Sequence, residues 1–509
     1  MVSSNVKKTA TFIVIGFPFL VLLVWLYFKV FQFQFLGEYF LDGLMTLQLS
    51  RGWLEGRPLL FDTYTGFHLL QHNYYFILLT GLVTKFTGVY GLFLVYLGLL
   101  GLFLINWLRW LRQQRLARWR NEWLAVAILA VGPFAHRIFM DYLGWHPEQY
   151  FAPLLGLLAL SLAKRRWYWA LFWGILVLCI KETAPVLICG LLLFMMVVSD
   201  FLNDSQKPWF VYYVNRKTIS VVAFFVLLFC LSLVWLSFLN HNQPSRLHRI
   251  FENVVEKATF SQWAFYTAIL GTLSLLSLGL SCFPFFSWLK GKHRPGIILG
   301  ALIGFGLLLC LLFYIEGLYY FPVISPGIIY PPRIGGLWAL MMACYVFFVV
   351  RASKKGLQPH IRQNEWTAWG LVLQFILSPI LVSNSNLYPQ DILDGKKNLT
   401  FIVDYKAGLR PYPKNPEKFL YDLSQKLPTG AEVFCEKQYL NIFQRVYPTS
   451  WSWNTRRPLV GRPFLYIYKK KLLSQKPNNH TFPKTGYVTI PNPTLLILAD
   501  ATWYHQHYK

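Results

Sequence analysis

The chain has 509 residues, of which 55% are hydrophobic and 18% are aromatic. Only 14% are charged, against about 25% in a typical soluble domain, and apolar runs of roughly 20 residues recur along most of the chain. These features exclude an ordinary soluble protein and predict an α-helical protein that crosses a membrane many times. The net charge of +26 falls largely in short loops between the apolar runs, so it indicates membrane orientation and not nucleic-acid binding.

The apolar runs predict about 11 transmembrane helices, because most of them approach the length that crosses a bilayer. Together they form an all-α membrane domain over residues 1–383, with a large first extracytoplasmic loop at 32–88. The expected helices lie near 10–31, 89–108, 123–139, 149–163, 168–181, 184–200, 218–240, 262–289, 296–316, 334–350 and 366–383.

The basic loops predict one consistent orientation. If all of them face the cytoplasm, the positive-inside rule is satisfied throughout with a cytoplasmic N-terminus. The apolar stretch 72–86 is then an interfacial or partly inserted helix on the outer side, and the C-terminus lies outside. The loops are 108–120, 164–166, 215–217, 290–294 and 351–355, and Lys7 and Lys8 add to them.

The segment "GEYFLDGLMTLQLSRG" at 37–52 follows the first predicted span and carries two acids, Glu38 and Asp42. Its apolar residues form one stripe at helical spacing, while Glu38, Asp42 and Thr46 fall on the opposite face. We therefore expect an amphipathic helix that lies in the membrane interface, with its acids facing water or a protein cleft.

Further ionisable residues lie near the outer ends of later spans or in the outer loops. Charges within a span are costly, so such residues are expected to face a common cavity. The motifs "HPE" and "KE" would neutralise one another around that cavity. The residues concerned are His72, Asp141, His146, Glu148, Lys181, Glu182 and Arg333.

The tail at 384–509 is polar and basic, and two of its segments have the composition of strands. "AEVFCEKQYLNIF" is expected to be a strand followed by a helix, and "PTLLILAD" is expected to be another strand. We predict a small α/β domain on the extracytoplasmic face.

The order of these motifs resembles that of a known family. "GEYFLDGLMTLQLSRG" is similar to the start of the first outer loop of GT-C-fold glycosyltransferases, in which an acid lies about fourteen residues before a glycine, as Glu38 does before Gly52. "HNYY" at 72–75, "WHPE" at 145–148, "KET" at 181–183 and "LPTGAEV" at 427–433 resemble the bacterial, GT-C-like family DUF2079. The chain departs from that pattern at Glu38, where Asp is usual, after His72, where a proline is missing, and at Thr183, where an acid is usual.

The resemblance implies a glycosyltransferase that moves a sugar from a polyprenyl-phosphate donor to a glycan, lipid or protein acceptor. Glu38 would be the catalytic base and Asp42 its neighbour at the catalytic centre. Lys181 and Arg333 would support the leaving phosphate. The remaining pocket residues would be His72, Asp141, His146, Glu148 and Glu182. The expected location is the bacterial inner membrane, in contact with its lipids.

No cofactor is required by this reading, although His72 and His146 with Asp141 or Glu148 have the chemistry to hold a divalent metal. Two other classes of function stay open at the level of sequence. A lipid or polysaccharide-precursor transporter or flippase would place acids or broken helices at mid-membrane, and a non-catalytic scaffold would have no cavity around Glu38.

Overall fold

The structure is a computed structural model, and its described residues include nine α-helices and seven strands with defined bounds. The described residues are 41–62, 66–67, 72–88, 90–113, 145–203, 216–239, parts of 339–351, 415–428, 431–435, 439, 443, 447–450, 465–470 and 485–507. Five of the predicted spans, 10–31, 123–139, 262–289, 296–316 and 366–383, therefore lie outside the described residues, and 334–350 lies partly outside them.

The first described helix, α1 (Leu41–Arg51), continues into a 3-10 helix (Gly52–Glu55). The 3-10 helix ends at Gly56, whose φ of 79° is a left-handed conformation that glycine adopts without strain. Two short antiparallel strands follow, β1 (Phe61–Asp62) and β2 (Gly66–Phe67). Helix α2 (Tyr75–Thr87) then occupies the stretch that was expected to form an interfacial helix.

Helices α1 and α2 pack closely because one small residue admits the backbone of the other helix. A Cβ atom built at Gly81 of α2 would overlap the carbonyl oxygen of Ser50 in α1. Beside this contact the hydroxyl groups of Ser50 and Thr84 are hydrogen-bonded at 2.9 Å. Such close approach at small residues is a common way for apolar helices to associate.

The polar face of α1 was expected to meet water or a protein cleft, and over residues 46–50 it meets protein; its position in the membrane interface stays a prediction. Residues 46–50 are buried without interruption, including the polar Thr46, Gln48 and Ser50. Thr46 and Ser50 have hydrogen-bonding partners inside the protein, the Trp145 carbonyl and the Thr84 hydroxyl, which makes their burial tolerable.

The next helices form the apolar part of the fold. α3 (Tyr90–Gln113) packs against α4 (Phe151–Ala163), where Gly156 leaves room for the ring of Phe103. α4 is buried along almost its whole length, whereas α5 (Trp167–Leu178) exposes large apolar side chains. α6 (Ala184–Asn203) and α7 (Arg216–Leu239) follow. Described residues between 339 and 351 are helical and mostly buried.

Helix α3 has the length and composition of a membrane span. Tyr90–Trp110 has a mean hydropathy of 2.1 and is the one such helix among the described residues. Four shorter apolar helical stretches accompany it, at Tyr75–Thr87, Trp167–Leu178, Ala184–Met196 and Ile219–Trp235. Five segments predicted as spans, 89–108, 149–163, 168–181, 184–200 and 218–240, are helical in the structure. The number of crossings stays a prediction.

The C-terminal part contains helix α8 (Asn415–Lys426), a mixed five-stranded sheet and helix α9 (Ala501–His507). The sheet order is β4-β3-β5-β7-β6, with β3 parallel to β4 and β5, and β7 antiparallel to β5 and β6. The strands are β3 (Glu432–Cys435), β4 (Tyr447–Ser450), β5 (Leu465–Lys469), β6 (Tyr487–Ile490) and β7 (Leu495–Asp500).

Both faces of this sheet carry apolar side chains, alternating along each strand as the pleat requires. Val433 and Cys435 belong to the main buried core, whereas Phe434 between them joins Tyr466 and Tyr468 in a separate cluster. The two strands predicted from sequence are present as β3 and β7. The domain boundary at 384 lies outside the described residues.

Candidate functional site

Three segments from distant parts of the chain meet where apolar helices begin. They are 72–74 before α2, 145–150 before α4, and the turn 179–183 between α5 and α6. The backbone N–H of Phe76 donates to the carbonyl of Cys179 at 2.8 Å and fixes the first segment to the third. His146 is extended, and Pro147 starts a 3-10 helix (Pro147–Tyr150) that leads into α4, since proline suits a first helical position.

An ion pair joins the second segment to the third. Lys181 Nζ donates to Glu148 Oε1 at 2.6 Å, and both side chains are almost fully buried, with 4% and 3% exposed. Burial alone would raise the pKa of Glu148. The nearby positive charge of Lys181, with smaller contributions from His146 and His72, outweighs burial and lowers that pKa to about 2. Glu148 is therefore ionised throughout the physiological range.

A second pair joins the first segment to the third. His72 Nδ1 lies 2.8 Å from Glu182 Oε1, and the backbone N–H of Asn73 donates to Glu182 Oε2 at 3.3 Å. Both oxygens of this carboxylate are thus engaged by consecutive residues. The Glu182 side chain is 2% exposed and the His72 side chain 12% exposed, so the imidazole is the more accessible partner.

Tyr74 connects the two pairs. Its ring stacks on the imidazole of His72 with centroids 4.8 Å apart, and its hydroxyl donates to Glu148 Oε1 at 3.4 Å. Since Lys181 and Glu182 are neighbours in the chain, the contacts close into a ring of five side chains. We call this ring the polar cluster; its members are His72, Tyr74, Glu148, Lys181 and Glu182.

Aromatic side chains pack around the turn that precedes α4 and carries Glu148. Trp145, which is completely buried, makes edge contacts with the rings of Phe93, Tyr96 and Tyr150. The hydroxyl of Tyr150 donates to the carbonyl of Leu92 in α3 at 2.7 Å. The turn that carries His146 and Glu148 is therefore held in place by rigid groups.

Helix α1 touches the same turn. Thr46 Oγ1 donates to the carbonyl oxygen of Trp145 at 3.0 Å, and Thr46 is fully buried. Asp42 lies four residues earlier in the same helix. The face of α1 that carries Thr46 is thus directed to the residue that precedes His146.

The structure brings together five of the predicted site residues, namely His72, His146, Glu148, Lys181 and Glu182. For Asp42 the structure gives only its position in helix α1. Glu38, Asp141 and Arg333 lie outside the described residues. Lys181, which was expected to bind the donor phosphate, has its charge engaged by Glu148 in this structure.

Tyr74 and Asn73 were missed by the sequence reasoning, and Thr46 was noted only as part of the polar face of α1. Tyr74 and Asn73 directly follow His72, so their position in the chain was the available signal. Within the described part of the chain, no group of three or more His, Cys, Asp or Glu side chains is arranged to hold a metal ion. Asp141, a member of the metal hypothesis, lies outside that part.

Comparison with known proteins gives a structural likeness. No family model and no curated protein sequence matches the chain. The crystal structure of the Archaeoglobus fulgidus oligosaccharyltransferase in complex with Zn and sulfate matches with a TM-score of 0.35 and 13% identity, over 95% of this chain and 73% of that chain. The apo form of the same protein matches with a TM-score of 0.36 and 11% identity, over 96% and 74%. At these TM-scores the likeness by itself decides neither fold nor activity.

Proposed function

We propose that this protein is a GT-C-type glycosyltransferase that transfers a sugar from a polyprenyl-phosphate donor on the extracytoplasmic face of a bacterial inner membrane. The observation that carries the proposal is the polar cluster. Ionisable side chains from three distant segments converge at the ends of apolar helices, next to the helix that carries Asp42. Ionisable residues are expensive to place within or beside membrane helices, so such a group is a candidate for a functional site.

The chemistry assigned to this site is attack of an acceptor hydroxyl on the anomeric carbon. Glu38, four residues before Asp42 in the sequence, is the proposed base that takes the hydroxyl proton. Asp42 tunes Glu38 through its charge or helps to hold the acceptor. Arg333 is the proposed ligand of the donor phosphate, because a guanidinium binds phosphate through two parallel hydrogen bonds. Lys181 would reach a phosphate only after releasing Glu148, so we assign it the positioning of Glu148.

Two buried acceptor atoms favour the proposal that the ligand carries hydroxyl groups. Glu148 Oε2 and Asn73 Oδ1 are buried and have no hydrogen-bond partner among the described residues. An unsatisfied buried acceptor costs free energy, on the order of 1–3 kcal/mol. Sugar hydroxyls are donors of the type that would satisfy such atoms.

The proposal that the protein is a member of DUF2079 rests on the four motifs that occur in that family's order. The chain departs from the family pattern at two acidic positions, since Glu38 replaces an Asp and Thr183 replaces an acid. Acceptors on the same membrane side, whether glycan, lipid or protein, would be other partners.

The test is transfer from a radiolabelled polyprenyl-phosphate sugar by purified variants in liposomes. Glu38→Gln keeps nearly the same shape but cannot accept a proton, so transfer should fall by about 10²–10⁴-fold. Asp42→Asn should lose less. Full activity in both variants would remove this helix from the reaction. Movement of the labelled lipid across the bilayer without transfer would instead indicate the flippase alternative, and neither transfer nor movement would indicate a scaffold.

A further inference from the structure

We infer that His72, held by Glu182, is the proton donor to the leaving phosphate of the donor lipid. This inference deepens the proposed function and rests on it. It gives His72 a role that the sequence had assigned to Lys181, whose charge is engaged by Glu148.

The first support is the orientation of the imidazole. Glu182 accepts from His72 Nδ1 through one oxygen and from the Asn73 backbone through the other. A carboxylate that accepts from Nδ1 keeps the proton of the neutral ring on that nitrogen. Proton exchange with a substrate then takes place at Nε2. A buried carboxylate behind a histidine is the arrangement by which enzymes orient an imidazole and stabilise its protonated form.

The second support is the distribution of charge. With His72 protonated, its charge and that of Lys181 balance the two carboxylates of Glu148 and Glu182. Glu148 and Glu182 lie deepest, at 3% and 2% exposed, while the imidazole is at 12%. An approaching phosphate would therefore meet the cation before it meets the acids.

The step balances with groups already named. The bond between the anomeric carbon and the bridging phosphate oxygen breaks, and its electron pair stays on that oxygen, which takes the proton from His72 Nε2. The acceptor oxygen forms the new bond to the anomeric carbon and gives its proton to Glu38. A phosphate monoester has a second pKa of about 6 and an ordinary imidazole one of about 6.5. A proton donor and a leaving group with similar pKa values exchange a proton efficiently near neutral pH.

The first experiment is the pH profile of transfer. His72→Gln should lower kcat by about 10²–10⁴-fold and abolish the loss of activity on the alkaline side. Glu182→Gln should move that alkaline limb to lower pH, because removal of its charge destabilises the imidazolium. Unchanged kcat in His72→Gln, with transfer still dependent on Glu38, would overturn the inference and leave the proposed function standing. The charged or titratable groups around His72 in the described residues are Tyr74, His146, Glu148, Lys181 and Glu182.

The second experiment does not depend on transfer. Diethyl pyrocarbonate modifies neutral imidazoles, and mass spectrometry gives the rate at each histidine of the wild-type chain. Polyprenyl phosphate should slow modification of His72, whereas the same concentration of polyprenol should not. His505, exposed on α9, is the internal control and should react equally in all conditions.

The two readouts separate the two hypotheses. Protection of His72 by the phosphate lipid in a protein that transfers no sugar would refute the transferase and keep the phosphate contact. Equal modification with polyprenyl phosphate and polyprenol would refute the contact, whatever the transfer assay gives.

Discussion

Lys181 and Glu148 meet at 2.6 Å although 33 residues separate them in the chain, and each side chain is almost fully buried. The pair ties the turn before α6 to the turn before α4. Removal of one partner from a buried pair leaves an uncompensated charge, which typically costs about 3–5 kcal/mol. The double substitution leaves no unpaired charge and costs less.

We therefore expect Lys181→Met and Glu148→Gln to be strongly non-additive. Each single variant should lower the free energy of unfolding, and the double variant should lose less than the two single losses combined. Thermal and denaturant unfolding of the detergent-solubilised variants gives the coupling free energy. Additive losses would mean that the two side chains do not depend on each other.

The same pair predicts a pH dependence with a defined sign. The pKa of Glu148 in the folded protein, about 2, is below its ordinary value of 4.5. Its contribution to stability is therefore complete above about pH 4.5 and is lost as pH falls from there toward 2. The difference in unfolding free energy between wild type and the Glu148→Gln/Lys181→Met double variant should shrink between pH 6 and pH 3. The other carboxylates titrate in both proteins, so their contributions cancel in the difference between the two unfolding free energies. A difference that stays constant from pH 6 to pH 3 would contradict the lowered pKa of Glu148.

The contact between α1 and α2 predicts a steric effect at one glycine. Gly81→Ala places a methyl group against the Ser50 backbone, and overpacking of this kind costs about 1–3 kcal/mol. Gly98→Ala is the matched control, since a Cβ at Gly98 of α3 meets nothing within 4 Å. Replacing a helical glycine without a clash is neutral or stabilising by up to about 1 kcal/mol. Equal melting temperatures for the two variants would show that α1 does not rest on Gly81.

The predicted orientation can be checked with reporter fusions. Fusions after Gly52, Gly317 or Lys509 should report an extracytoplasmic position, and fusions after Arg118 or Lys355 a cytoplasmic one, because the basic loops are retained inside. A cytoplasmic reporter after Lys509 would contradict the span count. It would also move the polar cluster away from the face where the donor is expected.

The sequence predicted which ionisable residues lie close together better than it predicted how they contact one another. His72, His146, Glu148, Lys181 and Glu182 are recognisable because ionisable groups at the ends of apolar helices need a polar environment. The choice of partners depends on distances that a linear pattern does not contain. Lys181 was expected to face a phosphate and instead faces Glu148.

Helix α1 shows the same limit for the fold. Its alternation of apolar and polar side chains has the pattern of an interfacial helix, but Thr46 and Ser50 find partners in Trp145 and Thr84 and are buried. In the tail, β3 and β7 were recognisable from apolar, β-branched runs. The parallel pairing of β3 with β4 and β5 depends on long-range contacts that short motifs do not specify.

The adjacency of Lys181 and Glu182 has a consequence for how this chain can change over generations. One dipeptide of opposite charges serves two different segments, through Glu148 and His72. A first substitution at any of these four positions leaves a charge or a polar atom buried alone, and domains have only about 5–15 kcal/mol of total stability. Single substitutions at these positions are therefore disfavoured. Among diverging homologues, the four positions should covary as one unit, with paired replacements far more frequent than single ones.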